Sequence, residues 1–150
     1  MDKISKDRRS KNMSKIRSKD TVPEKFLRTV LWHNGIRYRK NYSELPGKPD
    51  IYISKYKTAV FMHGCFWHQH KNCIDASKPK SNSVFWENKL KRNQERDEQN
   101  KKTLIEMSVQ VIVVWECTVT KMMRDAEYKE KTVADIIAAV KFGDDLYYEF

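Results

Sequence analysis

One short stretch of the chain concentrates the side chains that could bind a metal or carry out acid–base chemistry. From His63 to Cys73 it holds three histidines and two cysteines within eleven residues. Cys65, His70 and Cys73 are spaced like three metal ligands on one loop, and Cys117 could supply a fourth. Three cysteines and one histidine would close a tetrahedral zinc site of the structural kind. The alternative is three ordinary buried cysteines beside an unrelated histidine.

Two histidines of this stretch, His63 and His68, remain outside the predicted zinc ligands. Neutral imidazoles beside a metal-held loop can act as general base, general acid or phosphate contact. The alternative is a packing or surface role, which we favour for His33 because it stands alone in the sequence.

Aromatic residues flank the same stretch. Phe66 and Trp67 lie inside it, and Trp86 opens the next predicted helix. In a basic protein, such side chains can wedge between base steps or stack on bases. Packing in the core is the alternative for each of them.

A further candidate is the pair Pro49-Asp50 at the start of a predicted strand. Many metal-dependent nucleases carry Pro-Asp at this place, where the carboxylate holds Mg²⁺ and the ion activates water. The acidic-x-Lys motif that usually follows is missing, since the next strand ends in Phe61-Met62-His63. Pro-Asp also marks ordinary turns, so alone it is a weak signal.

Charge points to a polyanion as the partner. The 150 residues carry a net charge of +10, and residues 1–20 carry +5 of it with few apolar side chains. Nucleic acid is the commonest polyanion that such a protein binds. We therefore expect a flexible basic arm over 1–20 and one folded domain over 21–150; a solvated, functionless tail is the alternative for the arm.

The elements that must position these residues follow from periodicity and turn signals. The pattern predicts a mixed α/β single domain with a mixed central sheet flanked by helices. The expected order is a helix capped by Thr21 and stopped at Gly35, three strands, a helix, a buried strand and a last helix. The strands and later helices are predicted at Ile36–Lys40, Asp50–Ser54, Thr58–His63, Ser83–Ser108, Val109–Glu116 and Tyr128–Phe142.

The sequence also suggests a compartment. The longest apolar run, Val111–Trp115, is far shorter than the roughly 20 residues of a membrane-spanning helix, and the charged N-terminus does not resemble a secretion signal. Three cysteines without such a signal favour a reducing compartment. We expect a cytoplasmic bacterial protein, associated with the nucleoid, and no membrane partner.

Taken together, these residues resemble the very short patch repair (Vsr) DNA mismatch endonucleases, a branch of the restriction-endonuclease-like superfamily. The resemblance runs from about Arg9 to Ile137, and the run His63–His68 is its most specific part. The other stretches that carry it are Arg9–Met13, Thr21–Glu24, Leu45–Asp50, Phe85-Trp86, Asn93 with Arg96-Asp97, and Val114–Cys117.

The resemblance implies a restriction-endonuclease-like fold and a Mg²⁺-dependent activity. Members of that family nick duplex DNA on the 5′ side of the thymine in a T:G mismatch, which arises when 5-methylcytosine deaminates. A monomer suits such an asymmetric target, because a symmetric dimer favours palindromes. A mismatch-repair protein is a possible second partner.

The resemblance also implies roles for individual residues. Asp50 would hold catalytic Mg²⁺ with the main-chain carbonyl of Met62, and His68 would be the general base, oriented by Asp97. His63 would lie by the scissile phosphate. Glu24 would reach the metal region through water, although it also fits a capping box with Thr21. The remaining implied groups are the zinc ligands Cys65, His70, Cys73 and Cys117, and the DNA contacts Phe66, Trp67, Trp86, Lys11, Asn12, Met13, Asn93 and Arg96.

Two other functions compete with mismatch nicking. A related restriction-type endonuclease acting on paired DNA could use the same site. A zinc-stabilised DNA-binding module without catalysis would not need Asp50, His63 and His68 together.

Overall fold

A five-stranded sheet forms the centre of the structure, a computed structural model that describes residues 20–150. The predicted contacts Lys11, Asn12 and Met13, and the arm apart from Asp20, lie outside the described residues. The strands lie in chain order across the sheet. They are β1 (Arg39–Lys40), β2 (Ile51–Ile53), β3 (Thr58–His63), β4 (Gln110–Trp115) and β5 (Tyr147–Glu149).

The sheet is mixed, as the sequence predicted. β1, β2 and β3 pair in antiparallel fashion, whereas β3, β4 and β5 run parallel. The parallel neighbours require crossover connections, and helices supply them. The helices are α1 (Val22–His33), α2 (Ser83–Glu106), α3 (Glu116–Arg124) and α4 (Ala126–Phe142).

The position of β4 in the middle of the sheet explains why its sequence is continuously apolar. All six of its residues are buried, because both faces of the sheet are covered. Ile112 and Val114 pack with α1, α3 and α4 on one face. Val111, Val113 and Trp115 pack on the other face, where Leu104 of α2 covers them.

Helix α1 begins and ends close to the predicted positions. Thr21 is its N-cap, with the Glu24 N–H donating to Thr21 Oγ1 at 3.4 Å. The chain leaves the helix through Gly35 at φ +85°, a conformation that glycine adopts without strain. The predicted strand Ile36–Lys40 shrinks to Arg39–Lys40 because Ile36 turns into the core instead of pairing.

Two elements were missed, and several predicted boundaries differ from the observed ones by one or two residues. α3 begins directly where β4 ends, so neither a turn nor a polar cap separates the two in the sequence. β5 has only three residues, and none of them is fully buried. The last helix begins at Ala126 rather than Tyr128, because Asp125 caps it by accepting from the Tyr128 N–H.

None of the helices in residues 20–150 combines the length and hydrophobicity that crossing a membrane requires.

Candidate active site and metal cluster

The candidate site lies at the edge of the sheet where β3 and β4 end. His63 and Trp115 are the last residues of these two strands and face each other in register. β2 runs antiparallel to β3, so Asp50, just before β2, lies at the same edge. The topology thus brings a carboxylate and a histidine together from two strands.

Asp50 is held against the end of β3. The main-chain N–H of Met62 donates to Asp50 Oδ2 at 2.8 Å. Burial raises the pKa of this carboxyl to about 6; the Met62 hydrogen bond opposes the rise, and the negative charge of Glu24 adds to it. The predicted role of the Met62 carbonyl stays a prediction.

Glu24 lies in α1 and is buried, with its charge close enough to affect Asp50. Its Oε2 accepts from the main-chain N–H of Asp20 at 2.7 Å, one residue before the expected capping-box partner Thr21. Glu24 therefore closes the start of the helix and also adds negative charge to the neighbourhood of Asp50.

The sequence analysis missed Arg28, a buried cation beside these acids. Its Nη2 donates to Asp20 Oδ1 at 2.8 Å, and its charge lowers the pKa of Asp50. Nη1 is buried without a hydrogen-bond partner among residues 20–150. Helical periodicity could have revealed it: the buried positions Glu24, Leu27, Arg28 and Leu31 follow i, i+3, i+4, i+7 spacing.

His63 and His68 form a stacked pair, with ring centroids 3.9 Å apart and planes within 5°. Asp97 of α2 binds His68 Nδ1 at 2.5 Å. With Asp97 accepting a hydrogen bond from Nδ1–H, the neutral form of the His68 ring has its lone pair on Nε2. Burial and, to a smaller extent, the charge of His68 lower the pKa of His63 to about 3 against the opposing charge of Asp97, so His63 is neutral at pH 7. The pair thus offers one oriented base and one uncharged hydrogen-bonding ring.

The four predicted zinc ligands converge beside this pair. Ligand atoms of Cys65, His70, Cys73 and Cys117 all lie within 4.8 Å of one another. His70 Nδ1 is 3.7 Å from the Cys65 sulfur and 3.4 Å from the Cys117 sulfur. A tetrahedral zinc site has sulfur–nitrogen edges of about 3.6 Å, from Zn–S near 2.3 Å and Zn–N near 2.0 Å. The cluster could therefore hold a metal ion with little rearrangement.

The electrostatics of the cysteines point the same way. Burial raises the pKa of the Cys65 thiol to about 12, and it also raises the pKa of Cys117. Neutral thiols at this position are poor ligands, but a bound metal deprotonates the cysteines that coordinate it. The sulfur-rich donor set suits zinc better than a hard cation.

The loop after β3 is also held by hydrogen bonds. The Gln69 side chain donates to the carbonyls of Phe66 at 2.6 Å and Ala76 at 3.2 Å. The sequence analysis assigned Gln69 no role, and its position between two histidines was the one available signal.

Phe66, Trp67 and Trp86 form an aromatic cluster outside both hydrophobic cores. Their ring centroids lie 5.1, 5.3 and 5.8 Å apart, and each side chain is partly exposed. Core packing therefore does not account for them. Phe85, mostly exposed, packs on Trp86 and extends the apolar surface.

Two predicted DNA contacts on α2 face this loop. Asn93 Nδ2 donates to the Trp67 carbonyl at 3.2 Å, and Arg96 donates to Asn93 Oδ1 at 3.2 Å. With Asp97 they occupy i, i+3 and i+4 positions, so one face of the helix supports both the loop and His68. The contacts of Asn93 and Arg96 with DNA stay a prediction.

The sequence has well-defined relatives. The family described as DNA mismatch endonuclease Vsr matches residues 1–74. A type II nicking enzyme, V.NmeAIP, of Neisseria meningitidis serogroup A is 47% identical over 133 residues, which span 89% of this chain and 94% of that protein. DNA mismatch endonuclease Vsr of Escherichia coli K12 is 40% identical over 109 residues, 73% of this chain and 69% of that protein. The type II nicking enzyme V.XorIIP of Xanthomonas oryzae is 38% identical over 121 residues, 81% of this chain and 88% of that protein.

These matches extend over most of the chain and over most of each relative, and they include the sheet edge that carries Asp50, His63 and His68. The chain belongs to the Vsr family of DNA mismatch endonucleases.

Proposed function

We propose that this protein is a Mg²⁺-dependent endonuclease that nicks duplex DNA on the 5′ side of the thymine in a T:G mismatch. The observation that carries the proposal is the His68–Asp97 pair, stacked on His63 at the sheet edge that also holds Asp50. The relatives named as nicking enzymes and as a mismatch endonuclease support a nicking hydrolase. We also assign the chain to the restriction-endonuclease-like fold.

The residues around Asp50 suit a hard divalent cation. Two carboxylates, of Asp50 and Glu24, lie close together in a poorly solvated place, which raises the free energy of their negative charges. Oxygen donors of this kind are what Mg²⁺ prefers. Asp50, with the Met62 carbonyl, would hold the ion, and Glu24 would contact it through water. The ion, when bound, polarises the phosphate and lowers the pKa of water.

The histidines would move the proton. His68 Nε2 takes a proton from the attacking water as its oxygen forms a bond to phosphorus. One phosphorus–oxygen bond of the backbone then breaks, and the leaving oxygen takes up a proton from solvent water. The products are a phosphate on one side of the nick and a hydroxyl on the other, and His68 later releases its proton to solvent. Asp97 holds the ring of His68 and stabilises the imidazolium that forms. His63, which stays neutral, would donate or accept a hydrogen bond at the scissile phosphate.

Mismatch selection would come from the aromatic cluster. Phe66 and Trp67 are partly exposed on a loop that the zinc ligands would hold rigid, and Trp86, also partly exposed, joins them from α2. Unstacking a base step costs a few kcal/mol, and a T:G wobble opens more easily than a matched pair. The remaining DNA contacts would come from Asn93, Arg96, Lys11, Asn12 and Met13. The basic arm would bind the phosphate backbone of the duplex.

The decisive experiment is a nicking assay with Mg²⁺ on end-labelled duplexes that differ only by T:G, T:A or C:G at one position. The position would be placed in a set of cytosine-methylation sites. Cleavage of the thymine strand of the T:G duplex alone supports the proposal, and Asp50→Ala should abolish it. Equal cutting of the paired duplexes would establish the restriction-type alternative. Binding without cleavage of any duplex would establish a non-catalytic module.

A further inference from the structure

Trp115 connects the candidate zinc cluster to the catalytic histidines. Its ring stacks on His70, with centroids 4.1 Å apart and planes within 9°. Its edge meets His63 at 5.4 Å and 73°. His63 in turn stacks on His68, so four rings form one continuous series from the cluster to the candidate base.

The orientation of Trp115 depends on the last strand of the sheet. Its indole N–H donates to Glu149 Oε1 at 2.5 Å, and the Tyr147 hydroxyl donates to Glu149 Oε2 at 3.2 Å. The main-chain N–H of Trp115 also donates to the Phe150 carbonyl at 2.9 Å. The indole N–H is the only hydrogen-bonding group on this side chain, so Glu149 sets the rotation of the ring.

Glu149 is otherwise an unremarkable surface residue. It is exposed, and stability alone does not require a carboxylate there, since β5 is already held by main-chain pairing with β4. Its hydrogen bond to the buried indole is charge-assisted, and such bonds are short and directional.

We infer that Glu149 is a positioning residue: by fixing Trp115, it holds His70 and His63 in the orientations that the site uses. This inference rests on the proposed function for its link to catalysis. Groups behind a metal ligand typically contribute about 10- to 100-fold to metal affinity or activity. The sequence alone gave no indication of a role for Glu149, because the strand that carries it is too short to predict.

The test compares single-turnover nicking of a T:G duplex at saturating DNA by full-length variants. Glu149→Ala and Trp115→Phe should each slow nicking by about 10- to 100-fold, with unchanged DNA affinity. Glu149→Gln keeps an acceptor oxygen and should restore most of the rate. Combining Glu149→Ala with Trp115→Phe should slow nicking no further than the slower single variant, because both remove one hydrogen bond. Glu130→Ala, an exposed carboxylate on α4, is the control.

A second readout needs neither DNA nor catalysis. NMR signals of the His63 and His70 rings should shift in Glu149→Ala and in Trp115→Phe, whereas the signal of His33 on α1 should not. The inference is overturned if Glu149→Ala nicks at a rate within twofold of the unmodified protein. It is also overturned if the His63 and His70 signals do not shift, or if the two substitutions reduce the rate multiplicatively in the double variant. If the unmodified protein cuts no duplex, the proposed function fails, and the NMR arm alone decides the positioning role.

Discussion

The ionisation of Asp50 affects the stability of the folded protein and, in the proposed function, metal binding at the candidate site. Its folded-state pKa of about 6 lies above the value of 3.8 that an unfolded chain would have. The folded protein therefore holds this proton more tightly, and stability decreases as pH rises from about 4 to about 6. Above pH 6 the cost reaches a plateau, on the order of 2–3 kcal/mol.

Asp50→Asn should consequently raise the free energy of unfolding at pH 7.5 in the absence of added Mg²⁺, because it removes a buried charge. The gain should disappear below about pH 3, where the carboxyl is protonated in both the folded and the unfolded state. Adding Mg²⁺ should stabilise the original protein and not the variant, since binding to the folded state alone adds stability. Urea unfolding at several pH values measures this. Equal stability of the two proteins at pH 7.5 would contradict the buried-charge explanation.

The same carboxyl predicts the acid limb of activity. Mg²⁺ binds the ionised form, so nicking at limiting Mg²⁺ should decrease as pH decreases through about 6. His63, with its pKa near 3, should remain neutral and not contribute to this limb. The pH profile should move to lower pH at saturating Mg²⁺, because the ion favours ionised Asp50. If the pH profile of nicking does not change with Mg²⁺ concentration, a group other than Asp50 causes the loss of activity at low pH.

His68 and Asp97 should behave as one unit. His68→Ala should reduce the single-turnover rate by about 10²–10⁴, the usual contribution of a general base. Asp97→Asn should reduce it less, since the ring loses orientation and ionic support but remains present. The double variant should be close to His68→Ala alone, because Asp97 acts through that ring. His33→Ala provides the matched control. If the effects of the two substitutions on the activation free energy add fully in the double variant, the two residues act independently.

At the scale of elements, the loop after β3 depends on the metal cluster more than on the core. Residues 64–80 contain one short 3₁₀ helix, Ile74–Ala76, and otherwise turns and irregular backbone. Trypsin could cleave this segment at Lys71, Lys78 and Lys80. Cys117→Ser removes one ligand from outside the loop. This substitution should raise the rate of tryptic cleavage within the loop. A loss of about 1.4 kcal/mol of local stability raises the population of the cleavable open form, and so the cleavage rate, about tenfold. Ser77→Ala, inside the loop, is the control, and unchanged cleavage would mean that the loop holds itself.

The elements also show where sequence reasoning succeeds. Continuous apolar character identified β4, and a capping residue with helical periodicity identified α1, because each signal reports directly on burial or on an unsatisfied N–H. Cys65, His70 and Cys73 lie together as their spacing predicted, since they share one short loop; their role as zinc ligands stays a prediction. Asp97 and Cys117 lie far away in sequence, and the family resemblance, not spacing, linked Asp97 to His68.

What the sequence could not predict depends on tertiary contacts. β5 is defined by the strand beside it rather than by its own composition, so Glu149 had no visible role. Arg28 resembles an ordinary surface cation until its neighbours on α1 are seen to be buried. Both residues are polar groups whose roles depend on which atoms pack around them.

At the scale of the whole molecule, the positive charge should act at the catalytic edge rather than uniformly. Replacing Lys3, Lys6 and Lys15 with glutamine removes three charges from the basic N-terminal segment. If these side chains contact phosphates, the slope of log affinity against log salt should become shallower by about 2.7, at about 0.9 per contact. The affinity for T:G and paired duplexes should decrease alike, because phosphate contacts carry no sequence information.

The matched control removes the same net charge from the opposite edge of the sheet. Lys55 and Lys57 lie just before β3 begins, and Lys141 lies in the last turn of α4 near the start of β4, where the Ala139 carbonyl accepts from the Gln110 side chain. Replacing these three with glutamine should leave the salt slope nearly unchanged, because they lie at the end of the strands away from Asp50. Equal effects of the two triple variants would mean that net charge alone attracts DNA. A larger effect of the N-terminal triple would show that the duplex contacts the basic segment, as the proposed function expects.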